Sequence, residues 1–426
     1  MSLKSKKSSK LRKEKDIIVG LDVGTTKVCV IVARPKDENN VDIIGIGMAP
    51  SEGLHRGIVV NPSQTIDSIK AAISEAELKS GLQIDTVSVG IAGHHIRCIQ
   101  TNSIIGINNP ERVIGKSDID RLIEQSRLIK LPSDTKIIDI IPQEFVIDGK
   151  DGFFATPIGM FGVKLEAKVN IVTGLISSID DLSKCVMSCD VDIEDIVLEP
   201  IASSYAVLNE TEKKVGVAMI DIGGGTTDIA VFKKGVLKYT AGVGIAGNLV
   251  TNDIIETFGI SEQEAERIKR EFGYALVSEI LNDEEITVDA ISRHAPKIIS
   301  KSKLAGIIEA RMEDIFELAQ LEIKNSQIYE QLHAGVVITG GGSLIKATKD
   351  LAELILEKEV SLGIPTGLSG GLIKEVENPI FATGVGLILL KLKKYSDYSN
   401  IYKSNKGKSK NRNSIFEIIR NWFDEL

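Results

Sequence analysis

The sequence predicts an α/β protein of two related domains. Three observations carry this. A strand–Asp–Gly–Thr-Thr–strand pattern occurs twice, once around Asp22-Val23-Gly24-Thr25-Thr26-Lys27 and again around Asp221-Ile222-Gly223-Gly224-Gly225-Thr226-Thr227-Asp228. The copies stand about half a chain apart, as repeated domains do. Between them, short apolar runs with strand character alternate with segments of helical spacing.

Each copy is built for an anion. Glycines let backbone N–H groups approach a ligand with no Cβ in the way, and such turns form anion-binding concavities. Asp22 and Asp221 only accept hydrogen bonds and repel phosphate unless a cation stands between, which points to Mg²⁺ held through water and a bound nucleotide. Lys27 ends the first copy where Asp228 ends the second, and the second carries extra glycine. A Gly-rich hairpin without a ligand explains one copy better than two. Neither copy is a Walker loop, since the Gly-Lys-Ser/Thr ending and its helix are missing.

In chain order, the first hairpin leads to a strand over 41–48 and a helix over 62–80, with Ser63 as cap and Ile66, Ile69, Ile73 and Leu78 as its inner face. A strand over 86–92 follows. Residues 96–170 read as an inserted subdomain, with strand pieces at 137–141 and 144–147 and one helix over 117–127 whose Ile119, Leu122, Ile123 and Leu128 face inward. A strand over 169–176, a helix over 179–189 and a strand over 193–198 come next. The helix over 199–208 has Pro200 in its first turn. After the second hairpin, residues 247–330 are predominantly helical. A strand over 336–339 then meets Gly340-Gly341-Gly342, with a helix expected from Ser343 to 356.

Other motifs carry less. Gly242-Val-Gly244-Ile-Ala-Gly247 matches a dinucleotide fingerprint but lacks the following parallel strand, so Gly247 and Asn248 read as part of a loop closing the cleft. N–H groups after Gly340, Gly341, Gly342 and Ser343 suit a nucleotide. Glu266 and Lys269 are one helical turn apart, spaced to hold ribose hydroxyls or to form a surface pair, the spacing favouring the pair. Glu199 either orients a water as a general base or places its charge at a helix N-terminus. His94-His95 lacks partners at metal-ligand spacing and reads as satisfied structural histidine.

The composition excludes several classes. A net charge of −8 and 4% aromatic residues argue against nucleic acid as partner. Four cysteines, at 29, 98, 185 and 189, include no zinc-site pairing and fit reduced thiols. Residues 1–15 are a basic extension followed by an apolar run too interrupted for a signal peptide, and no stretch reaches the roughly 20 apolar residues of a membrane span. The last segment, 413–426, is amphipathic at helical spacing, with Ile415, Phe416, Ile418, Ile419, Trp422, Phe423 and Leu426 on one face after a basic linker. That combination suits a membrane-surface anchor.

The two Asp-Gly-Thr hairpins, the Gly340-Gly341-Gly342 turn and two connecting helices, over 199–208 and 381–390, resemble the actin, sugar-kinase and chaperone ATPase superfamily. Within it the chain is similar to the bacterial cell-division FtsA family, through 244–253, 265–269, the insert and the terminal helix. The resemblance implies an actin-like (ribonuclease H-like) two-domain fold with a central nucleotide cleft, an inserted subdomain and a C-terminal amphipathic helix. It implies ATP and Mg²⁺ as cofactors, with at most slow hydrolysis. Asp22, Gly24, Thr25, Thr26 and Lys27 fall on its first phosphate motif, Asp221, Gly223, Gly224, Gly225, Thr226 and Thr227 on its second. Gly340, Gly341 and Gly342 fall on its adenosine motif, Glu266 and Lys269 on its ribose helix, and Glu199 near the attacking water. The implied division is 16–95, 171–212 and 379–395 for domain I, with 96–170 inserted; 213–246 and 333–378 for domain II, with 247–332 its helical subdomain; then a linker at 396–412. The implied partners are the FtsZ tail, met on the helical subdomain with Arg293, Lys297 and Lys301 as charge candidates, other copies in a filament, later division proteins at the insert, and inner-membrane lipid. The implied place is the cytoplasmic face of the membrane at the division site. A pilus-assembly protein or small-molecule kinase of the same superfamily is the alternative, and no base over a sugar pocket can be assigned for the latter.

Overall fold

The computed structural model describes residues 17–37, 40–108, 111–150, 157–289 and 296–405. Two sheets of one plan form the body. In the first, Ile18–Val23, Lys27–Pro35 and Val41–Pro50 make an antiparallel meander. Thr86–Ile91 pairs parallel with Ile18–Val23, and Asp192–Leu198 pairs parallel with Thr86–Ile91. In the second, Val217–Ile222, Thr227–Lys233 and Val236–Val243 repeat the meander, and Val336–Thr339 and Val360–Leu362 repeat the parallel additions. Numbered within its own domain, each sheet runs 3-2-1-4-5, and Gly370–Gly371 extends the first at its edge. The inner strands are continuous apolar runs because both faces are covered, and Val28 to Ala33 are wholly buried.

The domains differ in what joins the strands. Between its third and fourth strands the first domain has one helix, Pro62–Ser80. Its cap is Asn61, whose side chain accepts from the Gln64 N–H, and not the expected Ser63, which lies inside the first turn. Ile69, Ala72, Ile73 and Ala76 form the buried row, while Leu78 lies off it and is 79% exposed. At the same point the second domain has Gly247–Phe258, Glu262–Phe272 and Lys301–Asn325, with a two-stranded ribbon, Glu285–Val288 and Lys297–Ser300, added to the expected helices.

The insert of the first domain lies between its fourth strand and the helix Ile176–Met187. It is a three-stranded antiparallel sheet, ordered Arg97–Gly106, Lys164–Leu175, Thr135–Ile147, covered by Lys116–Ser126. Leu128, expected on the inner face of that helix, lies past its end and is exposed. The two pieces expected at 137–141 and 144–147 are one strand, since a register shift between Pro142 and Glu144 takes up the proline. Buried Asn170 donates to Leu237 O and Lys238 O at 3.2 and 2.8 Å and so ties the insert to the second domain's edge strand.

Each sheet plan ends in a helix, Glu199–Val207 in the first and Ala382–Asn405 in the second. They cross so closely that a Cβ on Gly386 would lie 1.8 Å from Ala202 O. The second of these runs through 396–405, where a linker was expected; that stretch has neither Pro nor Gly to stop it. The amphipathic segment 413–426 lies outside the described residues. Among the described residues no helix is long and apolar enough to cross a membrane.

Candidate functional site

The two Asp-Gly hairpins meet between the domains, and their register corrects one reading. Asp22 pairs with Cys29 across the first hairpin as Asp221 pairs with Asp228 across the second. The Gly24 N–H donates to Lys27 O at 3.0 Å, as the Gly223 N–H donates to Thr226 O at 2.9 Å. The turns are therefore equal in length. No glycine is extra: Gly224 and Gly225 stand where Thr25 and Thr26 stand, and Lys27 matches Thr226, not Asp228. Packing explains the glycines. A Cβ on Gly224 would lie 1.8 Å from Thr26 Oγ1, and one on Gly225 2.4 Å from Thr25 Oγ1. The turns abut tip to tip, and Thr26 Oγ1 also donates to Asn248 Oδ1 at 3.2 Å. Beside them, Gly24, Thr25, Gly57, Gly90, Glu199 and Thr226 enclose about 20 Å³, room for one water.

Acidic groups crowd this point. Lys27 Nζ lies 3.0 Å from Asp22 Oδ2; burial works hardest against its charge, but Asp22, Cys29 and Asp221 together outweigh burial and the lysine is held protonated. Burial, with repulsion from Asp22, pushes the Asp221 carboxyl up to about 6 against its hydrogen bond from Ser203. Burial and the charge of Asp221 push Asp228 up to about 7, although Thr226 Oγ1 donates to it at 3.0 Å. Glu199, at the first turn of its helix, is raised well above the ordinary range by burial and by Asp22, Asp228 and Asp221 together. One lysine does not balance four carboxyl groups, so the site suits an added cation. Among the described residues no three His, Cys, Asp or Glu gather as a direct metal-ligand set, so such a cation fits through water.

The remaining motif residues close around the second hairpin. The Gly247 and Asn248 N–H groups donate to Gly223 O and Gly224 O at 3.1 and 2.8 Å, fixing the start of their helix on the turn. Gly340 has φ of +80°, and a Cβ there would lie 2.3 Å from Asp221 Oδ1. The helix expected from Ser343 begins only at Thr348; Gly341–Leu344 form a single tight 3₁₀ turn, with the Ser343 hydroxyl donating to Gly340 O at 2.7 Å. Glu266 and Lys269 are not a surface pair. Lys269 is buried, pairs with Glu266 at 2.5 Å, and donates to Thr251 Oγ1 and Gly247 O at 2.7 and 3.2 Å.

Some residues fall elsewhere. His95 is buried, but neither ring nitrogen has a partner, so it is not the satisfied histidine expected; burial lowers it to about 4 and keeps it neutral. Lys297 Nζ donates to Phe258 O at 2.6 Å, and Lys301 lies 3.5 Å from Glu284, so both candidate cations have local partners away from the cleft. Arg293 lies outside the described residues. The sequence reading named Asp228 only as the end of the second motif, without a role in the site. Two site residues escaped it: Ser203 and Thr383, which reach Asp221 from the crossing helices, offered no signal.

A pair of 3-2-1-4-5 domains, each aiming an Asp-Gly hairpin into one cleft, defines an actin-like fold of the nucleotide-cleft class. Solved structures agree on the fold. A PilM–PilN type IV pilus biogenesis complex superposes with a TM-score of 0.64 at 14% identity, covering 89% of this chain and 99% of that one. MreB 5 of Spiroplasma citri bound to AMPPNP superposes with a TM-score of 0.54 at 15% identity, covering 92% and 100%. Sequence similarity places the chain more narrowly. The profile of "Cell division protein FtsA" matches residues 218–386, and that of the "SHS2 domain inserted in FTSA" matches 93–173. The FtsA of Pseudomonas aeruginosa is 39% identical over 95% of this chain and 97% of its own length, that of Bacillus subtilis 35% over 88% and 83%, and that of Escherichia coli 32% over 88% and 90%. The chain belongs to the FtsA family of cell division proteins.

Proposed function

We propose that this protein binds ATP with Mg²⁺ between its two hairpins, assembles into actin-like filaments on the cytoplasmic face of the cell membrane, and tethers FtsZ filaments there. The observation that carries the nucleotide part is the meeting of two equal hairpins whose Asp22 and Asp221, with Asp228 and Glu199, crowd around one lysine. A cation relieves that crowding, and when bound it screens phosphate oxygens from the acids. Asp22 and Asp221 hold it through water. The N–H groups and hydroxyls of residues 24–27 and 223–227 take the phosphates, and Lys27 neutralises one of them. Gly340, Gly341, Gly342 and Ser343 would hold the nucleoside, and Glu266 and Lys269 would serve the ribose. Burial and the neighbouring carboxyl groups favour the protonated form of Glu199, which disfavours its action as a base and suits slow hydrolysis.

The division role is supported by kinship with FtsA proteins over nearly the whole chain. Terminal residues Ile415, Phe416, Ile418, Ile419, Trp422, Phe423 and Leu426 insert into lipid, and filament assembly adds the avidity that one short amphipathic segment lacks. The helical subdomain receives the FtsZ tail, and the insert recruits later division proteins. The test is co-sedimentation of FtsZ with lipid-bound protein in the presence of ATP. Recruitment well above the lipid-only control is expected; none would remove FtsZ tethering from the proposal.

A further inference from the structure

The carboxylates of the two hairpins are equivalent in the fold but held differently. Asp22 is paired within its own hairpin, by Lys27 at 3.0 Å. Asp221 is held from outside its own sheet. Ser203 Oγ lies 2.7 Å from Asp221 Oδ2 and donates to it. Thr383 Oγ1 lies 3.0 Å from Ser203 Oγ and 3.5 Å from the same carboxylate oxygen. Ser203 is wholly buried and Thr383 is 8% exposed, so neither hydroxyl has water as an alternative partner of consequence. Ser203 rides on Glu199–Val207 and Thr383 on the first turn of Ala382–Asn405, the helices that cross at Ala202 and Gly386. Core packing asks for no hydroxyl at either place, since Ala and Val fill the same space.

We infer that Ser203 and Thr383 are positioning residues that clamp one oxygen of Asp221 and fix how this carboxylate meets a hydrated cation on a bound nucleotide. The inference rests on the nucleotide reading of the cleft. Because the hydroxyls sit on different helices, the clamp holds only while those helices keep their crossing, so a change in the angle between the domains changes the hold on Asp221. Asp22, paired within one hairpin, has no such dependence.

The experiment is calorimetric titration of the full chain with ATP, once with excess Mg²⁺ and once with EDTA, for Ser203→Ala, Thr383→Val, Thr383→Ser and Asp221→Ala. Loss of a buried hydrogen bond to a charged group is worth roughly tenfold in affinity. Ser203→Ala and Thr383→Val are each expected to weaken binding about tenfold with Mg²⁺ and to leave it unchanged in EDTA, while Thr383→Ser binds as the parent. A purely structural role would lower the melting temperature without changing the Mg²⁺ dependence. Folded Ser203→Ala and Thr383→Val that keep the parent's Mg²⁺ dependence, while Asp221→Ala loses it, overturn the clamp and leave the nucleotide reading standing. Parent-like binding by Asp221→Ala overturns that reading instead. If Ser203→Ala does not fold, the near-isosteric Thr383→Val decides alone, and an unchanged Mg²⁺ dependence in it refutes the inference.

Discussion

Asp228→Asn removes one charge from the crowded cleft at almost constant shape, and its effect on stability can be worked from the structure. Asp228 is 6% exposed and faces Asp221, Asp22 and Glu199, with Lys27 the one cation among them. Its carboxyl rises from an ordinary 3.8 to about 7 in the folded chain, through burial first and Asp221 second. The folded state thus keeps a proton that the unfolded chain releases near pH 4. Between pH 4 and 7 the folded state binds more protons, so stability is full below about pH 4 and is lost as pH rises through 7. At about 1.4 kcal/mol for each pH unit, the loss at pH 8 is a little over 4 kcal/mol. Asn carries no charge and escapes this loss. The variant, free of nucleotide, should gain about 3 kcal/mol of stability on the parent between pH 5 and pH 8. Urea denaturation at both pH values, followed by circular dichroism, reads the difference directly. Equal dependence on pH in parent and variant would refute the electrostatic reasoning.

Other outcomes follow from the same geometry. Deleting residues 413–426 should abolish sedimentation with anionic vesicles and leave ATP affinity within twofold; unchanged sedimentation would remove the anchor. Gly224→Ala puts a methyl carbon 1.8 Å from Thr26 Oγ1, so Thr26 must turn away and give up its bond to Asn248, or the tips must part. Release of a fluorescent ATP analogue, timed by stopped flow, should quicken in that variant, and an unaltered rate would mean the tips do not close over the ligand. Asn170→Ala strips the donors from Leu237 O and Lys238 O and should lower unfolding free energy by about 2 kcal/mol, checked by the shift in melting temperature.

Much of the cleft was legible in the sequence because its chemistry demands rare residue types. An Asp at a strand end followed by Gly and Thr has few structural uses, and its recurrence at Asp22 and Asp221 removed most of them. What stayed hidden depends on where chains cross. Ser203 and Thr383 are ordinary helix hydroxyls until the Gly386 crossing sets them on one carboxylate. The glycine count misled, because matching Lys27 to Asp228 left Gly224 and Gly225 as extra, whereas the ladder pairs Asp221 with Asp228 as it pairs Asp22 with Cys29. Glu266 and Lys269 have the same spacing on a surface as in a buried network; only the neighbouring helix with Gly247 and Thr251 distinguishes them. Pro142 read as the end of a strand, though a register shift lets the strand continue through it.

The central claim is that both hairpins grip one Mg²⁺-bound ATP. Hydrogen exchange read by mass spectrometry, on peptides spanning 22–27 and 221–227, tests it with no variant at all. Adding ATP with Mg²⁺ should slow exchange in both peptides at the same nucleotide concentration, and ATP with EDTA should do so far less. Protection of one hairpin alone, or of neither at saturating nucleotide, would contradict the account.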